Sequence, residues 1–182
     1  MKSEIFAREL ALVKSDALRD FAVTYLDNYV PSYFWEIGAS ASGKYHPKFS
    51  QGDGGLVRHT KAVVMFLEEL LKMSSYAYMS DDYKDYAIVA AICHDTCKYG
   101  CKEFDKSEYS SHGENATKLM AECWHDIYPT SDLPELMRLA VLSHMGQWGA
   151  DKPFTSIDRV VHMADYIASR NFIDIPSLAV EG

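Results

Sequence analysis

The segment YKDYAIVAAICHDT, residues 83–96, constrains the fold more than any other part of the chain. It is apolar on nearly every face from Ala87 to Cys93 and then ends in His94 and Asp95. A helix that is apolar all round has no side to offer water and belongs at the centre of a bundle. His94 continues the line of Tyr86 and Ala90, and Asp95 that of Ile88, Ala91 and Ile92, so both ionisable groups are carried inward. An unpaired buried carboxylate is very costly. Other elements must therefore bring donors, cations or a metal to this point.

The rest of the chain supplies helices for that bundle. Residues 3–29 keep a helical period through Ile5, Leu10, Leu12, Val13, Leu18, Phe21, Ala22 and Leu26, as one long helix or two short ones. Further helices are expected at roughly 56–73, 111–127, 133–146 and 156–170, and no stretch alternates apolar and polar residues as a half-buried strand does. Ser111 with Glu114, and Thr155 with Asp158, have the spacing of capping boxes. The expected fold class is all-α, one compact helical bundle over residues 1–182, large enough at 48% hydrophobic residues to bury one core.

Helical phase then sorts the seven histidines. His59 shares a stripe with Val63, Phe66 and Leu70; His112 with Ala116, Leu119 and Cys123; His144 with Leu133, Leu136, Met137 and Ala140. Asp165 falls beside Ile157, Val161, Ala164 and Ala168. With His94 and Asp95, four histidines and two aspartates from five helices aim at the core. His125, sharing a face with Lys118 and Glu122, and His162, sharing one with Asp158, Tyr166 and Ser169, are assigned to solvated surfaces. His46 lies in an irregular loop, where phase is silent. Neutral imidazoles with carboxylates are a donor set for a divalent transition metal, Fe, Mn, Ni, Co or Zn. The competing reading is a metal-free polar network, and so many buried polar groups are hard to satisfy by hydrogen bonds alone.

Composition excludes other classes. A formal charge of -8 and a pI near 5.3 argue against a broad nucleic-acid surface, which works by neutralising many phosphates at once. The start MKSEIFAREL is amphipathic and charged rather than a leader, so Cys93, Cys97, Cys101 and Cys123 are expected as thiols of a cytoplasmic protein. Their spacing lacks the paired knuckles of a zinc site, and small core roles suit them better. The apolar run at Ala87–Cys93 is far short of the roughly 20 residues a membrane span needs.

Residues 31–55, PSYFWEIGASASGKYHPKFSQGDGG, break the helical pattern and are long enough to be a functional loop. Lys44, His46 and Lys48 are candidates to close over a phosphate, and Trp35, Tyr33 or Tyr45 to stack on a base. Trp148, four residues after His144, is a further stacking candidate, and the polar segment from Lys102 to Ser110 an edge for the pocket.

The order His59, then His94-Asp95, then Asp165 resembles the HD superfamily of metal-dependent phosphohydrolases, all-α proteins named for the adjacent pair. The most specific piece is AICHDTCKYG, which has the form H-D-x-x-K through Lys98. The resemblance covers about residues 54–170, leaving 1–53 as N-terminal helix or helices and a loop flanking the site. It implies His59, His94, Asp95 and Asp165 as primary ligands, and His112 and His144 as the pair that holds a second ion in binuclear members, with Asp95 bridging. GGLVRHT, HDTCK and SSHGENA further resemble the branch containing bacterial 3′ to 5′ exoribonucleases, although their extra nucleic-acid-binding domain is not expected within these residues and the net charge is acidic.

By that resemblance, one or two ions would activate a water against a small phosphorylated substrate, a nucleotide or short phosphodiester. Asp95 would orient the water, and Lys98 first, Arg58 second, would counter charge on the phosphoryl group. Two alternatives of other classes stay open: a di-iron oxygenase of the inositol-oxygenase type, which shares the ligand order, and a non-catalytic nucleotide-sensing module.

Overall fold

The computed structural model describes residues 1–40 and 46–178; the candidates Lys44 and Tyr45 lie outside them. Among the described residues the regular elements are α-helices and short 3-10 turns, with no strand. The helices are α1 (Ala7–Leu10), α2 (Asp16–Asn28), α3 (Gly55–Lys72), α4 (Asp81–Cys93), α5 (His112–Ile127), α6 (Glu135–Ser143) and α7 (Ser156–Ala168). The all-α expectation holds.

The central segment behaves as its composition requires. Residues 87–100 are all buried, the run continuing past the end of α4 through His94 and Asp95. Helices α2, α3, α6 and α7 pack around α4, and α5 closes over α2 and α6. Fully buried Ala87, Ala90 and Ala91 keep α4 slim enough for close neighbours. Ser80 caps α4 by accepting from the Tyr83 amide at 3.3 Å, and Asp81 and Asp82 place negative charge at the dipole's positive end.

Local detail resolves one expected boundary, bears out one expected cap and overturns another. The N-terminal region splits into a 3-10 turn (Lys2–Phe6), α1 and α2, because Ser15 starts a new helix by accepting from the Leu18 amide. Thr155 and Asp158 form the expected capping box. Ser111 does not: its side chain caps nothing, since a 3-10 turn (Lys106–Ser111) runs directly into α5 and leaves no free helix start to cap.

Two features fix the ends of the bundle that carry the site. Gly54 has φ +66, and a Cβ on Gly55 would lie 2.3 Å from the Ser50 carbonyl oxygen, so only this glycine pair lets the preceding loop wrap the start of α3. That contact sets where His59 falls along the bundle. Asp85, 2% exposed, accepts from the Lys14 amide with both oxygens at 3.1 Å and from the Ser15 amide at 2.7 Å, tying the α1–α2 turn to α4. Removing an acceptor from buried donors costs about 1–3 kcal/mol. Asp85→Ala should lower unfolding stability by that amount in urea titration, and an unchanged midpoint would show that the turn holds without it.

Candidate metal centre

Five helices or their ends converge on Asp95, which follows α4. His94 ends α4, His144 ends α6, His112 opens α5, and His59 and Asp165 lie within α3 and α7. The two oxygens of Asp95 divide between two sets of side chains. Oδ2 lies 3.8 Å from His59 Nε2 and 3.6 Å from His94 Nε2. Asp165 Oδ1 completes that set at 3.1 Å from His59 Nε2 and 3.8 Å from His94 Nε2. On the other side, Oδ1 lies 3.3 Å from His112 Nε2 and 3.7 Å from His144 Nε2.

These sets, His59, His94 and Asp95 on one side and Asp95, His112 and His144 on the other, are buried clusters that could hold a metal ion. Their spacing fits the chemistry. Donors about 2.0–2.1 Å from a common ion stand roughly 3.0–3.5 Å from one another. The tautomers fit as well. His94 Nδ1 donates to the Ala91 carbonyl at 2.8 Å, His112 Nδ1 to Tyr109 at 2.6 Å and His144 Nδ1 to Val141 at 2.6 Å. A neutral ring whose Nδ1 carries the proton has a bare lone pair on Nε2. His112 and His144 thus aim two lone pairs at each other across 2.9 Å, and His94 Nε2 is buried with no hydrogen-bond partner. Bringing lone pairs together is unfavourable unless a proton or a metal cation lies between them; burial works against a proton on His144, but Asp95 outweighs it and raises the imidazole above its ordinary value.

Electrostatics match a ligand set. Burial pushes His94 down to about 4, which keeps its imidazole neutral. Burial opposes the charge on Asp95, but Lys98 and the surrounding imidazoles outweigh it and hold the carboxyl well below its ordinary range. Lys98, 5% exposed, donates to Asp95 Oδ2 at 2.6 Å, and that partner holds its ammonium above the usual value despite burial.

The centre forms the floor of a cleft of about 430 Å³. Lys98 reaches it, whereas Arg58 does not. Arg58 donates to the carbonyls of Phe49 and Gln51 and lines a separate depression beside Trp35. The expectation of Arg58 as a second active cation is corrected, and Arg170 is the guanidinium that lines the cleft. In the expected 156–170 helix it falls four residues after Tyr166, on the face that phase assigns to solvent.

His162 is a second correction. It lines the cleft, donating from Nδ1 to the His144 carbonyl at 2.7 Å. The polar face it shares is a cleft wall rather than a solvated surface, and Asp158 on it is polar because it serves the capping box. His125 is exposed as expected.

Among the loop candidates, His46 lies in the cleft with its ring 5.3 Å from that of His59, and burial, then the His59 and Lys98 charges, push it down to about 3. Lys48 is exposed and outside the cleft. Tyr33 is no stacking platform: its buried hydroxyl donates to the Gly100 carbonyl and accepts from the Tyr99 amide, bracing the turn after Asp95. Trp35 packs edge-on against Phe6 and Phe34. Of the Lys102–Ser110 segment, Tyr109 edges the cleft, while Lys102 to Asp105 line another depression. The cysteines are free thiols outside both ligand clusters.

Adding Mn(II) or Co(II) to chelator-treated protein should raise its thermal midpoint in a concentration-dependent way, by about 2.7 kcal/mol of stability at a hundredfold excess over Kd. Asp95→Asn, which keeps the shape and removes the charge, should abolish most of that rise. A midpoint indifferent to metal would make the cluster a polar network. A scan against protein-family models and searches of curated proteins and of solved structures find no match to this chain.

Proposed function

We propose that the protein is a phosphohydrolase that holds two divalent transition-metal ions about Asp95 and cleaves a nucleotide or short phosphodiester, as a member of the HD superfamily. The observation that carries the reading is the division of Asp95: one carboxylate oxygen toward His59 and His94, the other toward His112 and His144, beside a buried Lys98 in an open cleft.

Bound divalent ions would lower the pKa of a coordinated water and polarise a phosphoryl oxygen. The chain's own groups do the remaining work. Asp95 keeps both ligand sets in register and stays anionic. Lys98 stands next to it, so its ammonium counters charge as this gathers on the phosphoryl oxygens. Arg170 adds a second positive charge on the wall. Burial of the floor keeps bulk water from screening these charges.

The acidic net charge favours small substrates over long nucleic acids. Thr96, next to Asp95, bonds through its hydroxyl to Tyr25 at 2.8 Å, which holds the H-D-x-x-K turn against α2. Reactive groups are thus mounted on a braced support, as precise positioning demands.

Two measurements test the reading. Elemental analysis of anaerobically purified, metal-loaded protein should find two ions per chain, with His112→Ala or His144→Ala retaining one and Asp95→Ala neither. With Mn, Fe, Co or Ni the protein should release phosphate, pyrophosphate or nucleoside from a nucleotide panel. His94→Ala and Asp95→Ala should abolish turnover, and Lys98→Ala should lower kcat by about 10²–10³-fold at unchanged metal content. Metal-loaded protein that leaves every phosphoester intact while consuming oxygen with a polyol would replace this reading with the oxygenase one.

A further inference from the structure

Above the ligand floor the cleft is lined by Trp148, Tyr166 and Arg170. The Trp148 and Tyr166 rings stack with planes 11° apart and centroids separated by 5.7 Å. The Arg170 guanidinium lies 4.1 Å from the Tyr166 ring centroid, and its Nε donates to the Tyr166 carbonyl at 3.0 Å. Three flat groups are therefore joined in one assembly. It is left open to water, with Trp148 56% exposed and Tyr166 40%.

The segment bearing Trp148 is held rather than loose. Lys152 Nζ donates to the carbonyls of Gly146, Gln147 and Gly149 at 3.1, 3.3 and 2.7 Å. Gly146 has φ +57, and a Cβ there would lie 2.2 Å from the His162 ring, so the turn can rest on His162 only as glycine. His162 in turn donates to the carbonyl of His144. The exposed indole is thus fixed relative to His144, a residue of the ligand floor.

We infer that this assembly is the subsite for a nucleobase, which packs on the open face of Trp148 while the phosphate reaches Lys98 and the floor. The direction of the phosphate rests on the phosphohydrolase reading above; the stacking site does not. Large aromatic area left in water gains by covering a flat partner, and a rigid platform loses little conformational freedom in doing so. Base stacking tolerates any base. The assembly therefore selects base-bearing phosphoesters as a class over base-free ones. Arg170, stacked through its plane, keeps a cation at the same wall and suits an anionic ligand.

Binding of non-hydrolysable phosphonate analogues separates this site from catalysis. With Mn(II)-loaded protein, calorimetry should show the AMP analogue binding about 5- to 150-fold more tightly than the ribose 5-phosphate analogue, the range expected for one stacked base. Trp148→Ala, checked for folding by circular dichroism, should bring the AMP analogue toward the base-free ligand, and Trp148→Phe should restore part of the preference. Equal binding of the two analogues, binding of neither, or a preference that survives Trp148→Ala would overturn the subsite. Base-dependent binding without hydrolysis of any nucleotide would keep the subsite and remove the phosphohydrolase reading, and hydrolysis without base dependence would do the reverse.

Discussion

Burial of the Asp95 carboxylate is the constraint on which the rest of the structure depends. A charge in the interior must be matched by partners brought from elsewhere in the chain, and here α3, α5 and α6 each bring an imidazole to the end of α4, where Lys98 supplies the ammonium. Lys98 pairs with Asp95, while the part-buried Asp165, its side chain 18% exposed, is met by the imidazoles of His59 and His94. Divalent cations bound there would bring positive charge to the cleft and, under the proposed function, create a need for an anion such as a phosphoryl group.

The histidines solve a shared problem with helix ends. The last carbonyls of a helix have no partner within it, and His94 and His144, closing α4 and α6, each donate Nδ1–H to the carbonyl three residues back. His112 does the same with the 3-10 turn before α5. One interaction thus satisfies an orphan carbonyl, fixes the tautomer and aims Nε2 at the centre, as outer partners of metal ligands commonly do. His59 lies inside α3, where carbonyls are spent on the helix, and its Nδ1 is correspondingly without a partner. Placing a ligand at a helix end therefore gives orientation for no extra residue.

How much of this was legible in the sequence follows from the same geometry. The six convergent side chains lie in or directly beside helices, where a 3.6-residue period reports direction, so His59, His94, Asp95, His112, His144 and Asp165 could be found by phase. Phase reports only inward against outward, however. His162 sits on a polar face that borders the cleft, a third environment that the pattern does not distinguish from solvent. Arg58 was legible as a cation beside His59, but its direction is set by the Phe49 and Gln51 carbonyls, which belong to a loop without periodicity. His46 in that loop was legible as a candidate but not its direction, and Arg170 shares the face of Tyr166 and His162, so only the folded chain places both on the cleft.

The cleft's asymmetry follows from where these segments end. Its floor is built from helix termini whose backbone groups are already committed, so the donors there are few, directional and buried. Its wall is built from the turn after α6 and the last turn of α7, where Lys152 gathers three carbonyls and leaves Trp148 facing water. A polar floor and an aromatic wall would discriminate differently under the proposed function: the floor would recognise charge at one point and the wall an area. Because His144 and Trp148 are parts of one short segment, floor and wall are held in fixed register, so a ligand using both would need a charged group and a flat group at the matching separation.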